Sequence, residues 1–192
     1  LATIAWERGD GVAAHALLMP HLSMIDEFCP PDGVSLCYRV LARHAQACGQ
    51  PDEAHSLLMH AEQLSVRRGW WRARIALLAE RIQLSLDAGD IPLARRAFEV
   101  LSAQPRETAN AVANWQWGMR DARLLLVEGK TQIAVRRLHA LIVAQDACGD
   151  GGSALRSRLL LAVALWQAGA PDSAAITSLP SPECPVHHQL SP

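Results

Sequence analysis

Apolar residues recur at spacings of three and four along most of the chain, as in Ile75, Leu78, Ile82 and Leu86, which marks one buried face of an α-helix. Such text runs over 36–48, 70–88, 109–128 and 154–168. Val and Ile are sparse and period-two alternation is absent, so no strand is predicted. The helical stretches stop at regular places. Gly9, Gly49, Gly89, Gly129 and Gly169 are each 40 residues apart. Five residues after each stands an alanine: Ala14, Ala54, Ala94, Ala134 and Ala174. Nine residues after the first four stands a large apolar side chain: Leu18, Leu58, Phe98 and Leu138.

Each part of this unit has a physical reason. A glycine just past a helix end takes a positive φ that a Cβ would penalise. Asp10, Pro51-Asp52, Asp90, Thr131 and Pro171-Asp172 follow, and suit the cap and first turn of a second helix. The small alanine one turn later lets paired helices approach, and the large residue beyond it fills the groove between them. The expected fold is all-α: a right-handed superhelical α-solenoid of helix pairs with a 40-residue period, about four and a half pairs in all. The repeat domain spans 1–179. The segment 180–192, with Pro180, Pro182, Pro185 and Pro192, is expected to be a disordered tail. An uncapped apolar start at Leu1 leads us to expect an internal piece of a longer protein.

The spacing of a glycine, four residues and an alanine resembles tetratricopeptide repeats, with a longer period. Two stretches are more specific. One is Tyr38-Arg39-Val40-Leu41-Ala42-Arg43, running to Cys48-Gly49 and Asp52-Glu53-Ala54. The other is Arg68-Gly69-Trp70-Trp71, Arg74, Leu77-Leu78-Ala79-Glu80-Arg81 and Leu86-Asp87-Ala88-Gly89-Asp90. Both resemble the tetratricopeptide-like sensor region of the large bacterial ATP-dependent regulators of the LuxR family, the MalT-like group, over about 1–178. The resemblance implies signal reception in a transcriptional activator, with a small-molecule effector or a protein or peptide partner bound by this region, and self-association. The odd-numbered, scattered cysteines lead us to expect a cytoplasmic setting. The phosphate loop and helix-turn-helix of that family have no counterpart in these residues. A free-standing adaptor that holds a peptide segment is the other function the same fold admits.

Composition narrows the chemistry. Half of the 192 residues are apolar, and 18 basic residues stand against 19 acidic ones, a net charge of −1. No global positive field exists to hold a phosphate backbone, so no direct nucleic-acid binding is expected. Of the pairs Arg67-Arg68, Arg95-Arg96 and Arg136-Arg137, the last two are 41 apart on second helices, and the pairs read as a solvated outer surface. The longest apolar run, 159–166, is too short to cross a bilayer. The five cysteines are odd in number and scattered, which fits reduced thiols.

In a tetratricopeptide-like superhelix the first helix of each pair lines the concave face. The groove positions lie at set distances before each glycine. They select Arg39, Arg43 and Gln46; Gln83 and Asp87; Gln116, Met119 and Arg123; and Arg156, Val163, Trp166 and Gln167. The candidate ligand-binding set is therefore Arg39, Arg43, Gln83, Asp87, Gln116, Arg123, Arg156 and Trp166. Arginine and glutamine would donate hydrogen bonds, and Trp166 would stack. Trp70-Trp71 and Trp115-x-Trp117 are expected to bury one ring of each pair and leave the other partly exposed, chiefly as core filler. His44 and Cys48 have the i, i+4 spacing of metal ligands, with His15, His55 and His60 in neighbouring units, yet Cys48 abuts a helix end. Cys184, His187 and His188 fall in the tail. No metal, cofactor or catalytic role is expected, since no nucleophile, zinc or paired-carboxylate motif stands out.

Overall fold

The computed structural model describes residues 1–103 and 111–169, without the side chains of 111–113. Ten α-helices and no strand are found among the described residues. They are α1 (Ala2–Glu7), α2 (Gly11–Leu18), α3 (Leu22–Phe28), α4 (Pro31–Ala47), α5 (Pro51–Arg67), α6 (Trp71–Asp87), α7 (Ile91–Ser102), α8 (Ala111–Val127), α9 (Thr131–Ala147) and α10 (Gly151–Gln167). This is an all-α solenoid. The pairs are α1 with α2, α4 with α5, α6 with α7, and α8 with α9. The expected tail, Ala174, Pro171-Asp172, Cys184, His187 and His188 lie outside the described residues.

The turns follow the chemistry read above. The five periodic glycines have φ between 68° and 82°, and a Cβ on any of them would meet no neighbour, so backbone conformation alone selects glycine there. At Gly49 the helix is closed by Gly49 N–H to Gln46 O at 3.0 Å and Gln50 N–H to Ala45 O at 2.9 Å. Asp10, Asp90 and Asp150 cap α2, α7 and α10 by accepting from the N–H of Ala13, Leu93 and Ser153. The same glycine device also closes turns between pairs, at Gly69 and Gly149. Helices therefore begin at 31, 51, 71, 91, 111, 131 and 151, a period of 20 inside the period of 40.

Packing follows the small-then-large rule. Ala14, Ala54, Ala94 and Ala134 are at most 1% exposed, and Leu58 and Leu138 are fully buried. Each such leucine is worth about 1.5–3 kcal/mol of burial. The first unit departs from the rest. Pro20 ends α2 after one short stretch, a 3-10 turn over Met19–His21 follows, and α3 resumes. Asp26 of α3 then fastens this broken helix to the next unit. It accepts from the Tyr38 hydroxyl at 2.8 Å and meets His60 Nε2 at 2.7 Å.

One feature of the stacking positions the site. The first helices pack on one another in sequence, α4 on α6, α6 on α8 and α8 on α10. The second helices α5, α7 and α9 instead pack on their own partners and on the first helix that follows. The first helices are thus drawn together and line the inner surface.

Candidate functional site

The inner surface holds a cavity of about 270 Å³. Its walls repeat the register of the array: Ala76, Gln116 and Arg156 are 40 apart, as are Arg39, Ala79 and Met119, and Glu80 and Arg120. Arg43 and Trp115 complete these walls, and Gln145 and Ser153 come from α9 and the start of α10.

Glu80 is the centre of the site. Its residue is 1% exposed. Arg43 grips it with two hydrogen bonds, Nε to Oε1 at 2.5 Å and Nη2 to Oε2 at 2.8 Å, and Arg39 Nε reaches Oε2 at 3.0 Å. Burial pushes the carboxyl pKa up, but the hydrogen bonds and charges of Arg43 and Arg39 outweigh it, so the net direction is below the ordinary 4.5. The arginines and glutamate link α4 to α6 across one repeat step.

Arg120 is the counterpart of Glu80 one unit on. Its Nε donates to the Ala79 carbonyl at 2.9 Å. Burial, and then the like charges of Arg123, Arg39 and Arg43, lower its pKa to about 10, against the pull of Glu80. The guanidinium stays charged at neutral pH in surroundings that disfavour that charge. Gln145 is fully buried, and neither its Nε2 nor its Oε1 has a hydrogen-bond partner. A buried amide left unpaired in this way costs about 1–3 kcal/mol.

Of the groove positions selected from the sequence, Arg39, Arg43, Gln116, Met119 and Arg156 line this cavity. Gln83, Asp87 and Arg123 form a polar chain beside it: Gln83 Nε2 donates to Asp87 Oδ1 at 2.6 Å, and Arg123 donates to Gln83 Oε1. Trp166 is 78% exposed on α10 and does not line the cavity. Sequence reasoning missed Glu80, Arg120 and Gln145. A signal existed for each. Val40 and Leu160 occupy the register of Glu80 and Arg120 in the outer units, so charge stands there where the repeat is otherwise apolar. Gln145 continues the buried stripe Ala134, Leu138, Ile142.

The tryptophans require one correction. Trp115 and Trp117 are both buried, at 8% and 5% exposure, rather than one in and one out. Residues two apart point about 200° apart on a helix, and α8 is covered on both sides by the adjoining units. Trp70 is half-buried and Trp71 exposed, each beneath a guanidinium, of Arg68 at 4.9 Å and Arg72 at 5.3 Å. Among the Arg pairs, Arg95 meets Glu128 and Arg137 meets Asp121, while Arg67, Arg96 and Arg136 are exposed.

A larger cavity of about 670 Å³, lined by Phe98, Trp117 and Leu141 among others, has its rim at Ser102 and Asn114, next to residues outside the described structure. His44 and Cys48 lie 3.6 Å apart, and the His15 ring stands 4.9 Å from that of His44. No group of three or more His, Cys, Asp or Glu that could hold a metal ion occurs among the described residues. No described helix is long and apolar enough to cross a membrane.

No curated protein and no solved structure matches the chain at a significant level. A family model does, over residues 1–178, and by it the chain belongs to the MalT-like TPR region family of helical repeats.

Proposed function

We propose that this array is the signal-receiving module of a LuxR-family, MalT-like transcriptional regulator, and that its effector binds in the inner cavity around Glu80 and Arg120. The observation that carries the reading is the fully buried, unpartnered amide of Gln145 in a cavity that four arginines also line. Interior polar groups without partners are rare in folded proteins, and one that lines a cavity marks where a ligand completes the hydrogen bonding.

The mechanism follows from which elements build the walls. Four successive first helices contribute to one cavity of small-molecule size. A ligand that bridges them favours one spacing of those helices over others. Curvature then shifts as a population, by no more than the difference in the ligand's affinity for the two arrangements. Such a shift reaches the rest of a regulator through the ends of the array, and through self-association. The module carries out no reaction in this reading. Its setting is the cytoplasm, in keeping with four unpaired cysteines among the described residues.

The test is a thermal-shift screen of metabolites on the 192-residue chain, followed by calorimetric titration. One-to-one binding that is lost in Gln145→Leu is the expected result. Ligands that bind equally well to Gln145→Leu would move the effector site elsewhere.

A further inference from the structure

The charge of the same cavity says what class of ligand it takes, an argument that rests on reading the cavity as an effector site. Four arginines and one glutamate line it, an excess of three positive charges. Glu80 is already engaged by Arg43 and Arg39. That leaves Arg120, whose hydrogen bond in the structure goes to a backbone carbonyl, and Arg156, exposed at the rim, facing the cavity with no carboxylate bonded to either. A neutral ligand would satisfy the Gln145 amide but leave the Arg120 charge unneutralised.

We infer that the ligand is a small organic anion, its carboxylate or phosphate held by Arg120 and Arg156 and a second polar group bonded to the Gln145 amide. Arginine suits this role because its planar fork pairs with two oxygens of one oxyanion. The volume of about 270 Å³ suits a single small metabolite. Trp115 supplies an apolar wall for the carbon skeleton.

The experiment titrates the 192-residue chain with citrate, malate, phosphoenolpyruvate and glucose phosphate, with uncharged glucose and uridine as controls. All arms are matched in ionic strength with chloride, because multivalent anions also stabilise proteins by exclusion from the surface. The expected result is saturable binding of at least one anion, weakened tenfold or more by Arg120→Met and by Arg156→Ala. Arg156 is exposed, so its variant keeps the fold. The carboxylate and phosphate arms decide which oxyanion is preferred. Binding of glucose or uridine but of no anion overturns the anion inference and leaves the effector site standing. Anion stabilisation unchanged in both variants overturns it as well, as an effect of the solvent. Absence of binding in every arm, charged and uncharged, overturns the effector reading itself.

Discussion

Two buried carboxylates in this molecule each meet two arginines, and they serve different ends. Glu62 on α5 is held by Arg81 and Arg74 of α6. Glu80 on α6 is held by Arg39 and Arg43 of α4. The first cluster fastens a second helix to the next unit, and further acids stand near it: Asp52 and Asp90 line the same cavity, of about 340 Å³, as Arg81. The second faces the inner surface, where Arg120 and Arg156 bring the charge beyond what Glu80, the one acid lining the cavity, can answer. A similar pairing therefore fastens two units in one place and floors the proposed effector cavity in the other. The surplus charge around the pair, and not the pair itself, separates the two.

The largest expected effect breaks that comparison at Glu80. Glu80→Ala leaves Arg39, Arg43 and Arg120 facing one another. Removing one partner of a fully buried pair costs about 3–5 kcal/mol. About a third of each of the Arg39 and Arg43 side chains is solvated, so we expect roughly 2–3 kcal/mol by urea unfolding. Glu62→Ala should cost less, about 1–2 kcal/mol, since Arg74 stands 3.6 Å away and other acids are near. Equal losses would dissolve the distinction. Acid should find the same difference. The Glu80 carboxyl sits below its unfolded pKa, so its contribution is complete above about 4.5 and is lost as pH falls through the folded value. Glu80→Gln should flatten that part of the stability curve.

Packing offers the next effect. Ala134→Leu puts three carbons into a fully buried contact between α9 and its neighbours and should cost about 1–3 kcal/mol. An unchanged melting temperature would contradict the repeat geometry.

The backbone of this fold was legible because each unit repeats a few local choices. Glycine at a positive φ, aspartate at a cap and alanine at a close contact are all local choices, and five copies of the glycine and alanine spacing in the sequence made the unit visible. Gly69 and Gly149 obey the same rule but lack copies at 29 and 109, where Cys29 and Ala109 stand, so the shorter period stayed hidden. Part of the candidate site was legible for the same reason, since Arg39, Arg43, Gln116, Met119 and Arg156 lie on the regular groove positions. Glu80, Arg120 and Gln145 are departures from the repeat. A charged residue in an apolar register looks like an exposed side chain until three-dimensional contacts show what surrounds it. Trp166 went the other way. Its equivalents Leu86 and Leu126 are covered by the following first helix, whereas α10 has none after it among the described residues.

Arg120 sharpens the comparison from the cationic side, with a smaller effect. A basic group whose folded pKa is depressed from its ordinary value to about 10 is a liability throughout the range in which both states are charged. Arg120→Met keeps the aliphatic stem and removes the charge. Without ligand, we expect unchanged or higher stability, by about 1 kcal/mol, since replacing a poorly compensated buried charge with an apolar side chain is commonly neutral or favourable. The corresponding change at Arg81, which is bonded to Glu62, should be destabilising. Chemical denaturation of the two variants side by side reads the contrast directly.

The smallest effect belongs to His55, beside the Glu62 cluster. Burial first, and then the charge of Arg81, lower its pKa below the ordinary 6.5. The folded state therefore binds fewer protons than the unfolded chain between the folded value and 6.5. Stability rises with pH across that window and falls on acidification through it. The Glu80 cluster contributes nothing there, because its carboxyl is ionised in both states. A shallow loss of stability beginning below about pH 6.5 and absent in His55→Gln would assign that stage to the fastener side. If the shallow stage survived the substitution, another histidine would be its source, and Arg81 would no longer be the cation that His55 senses.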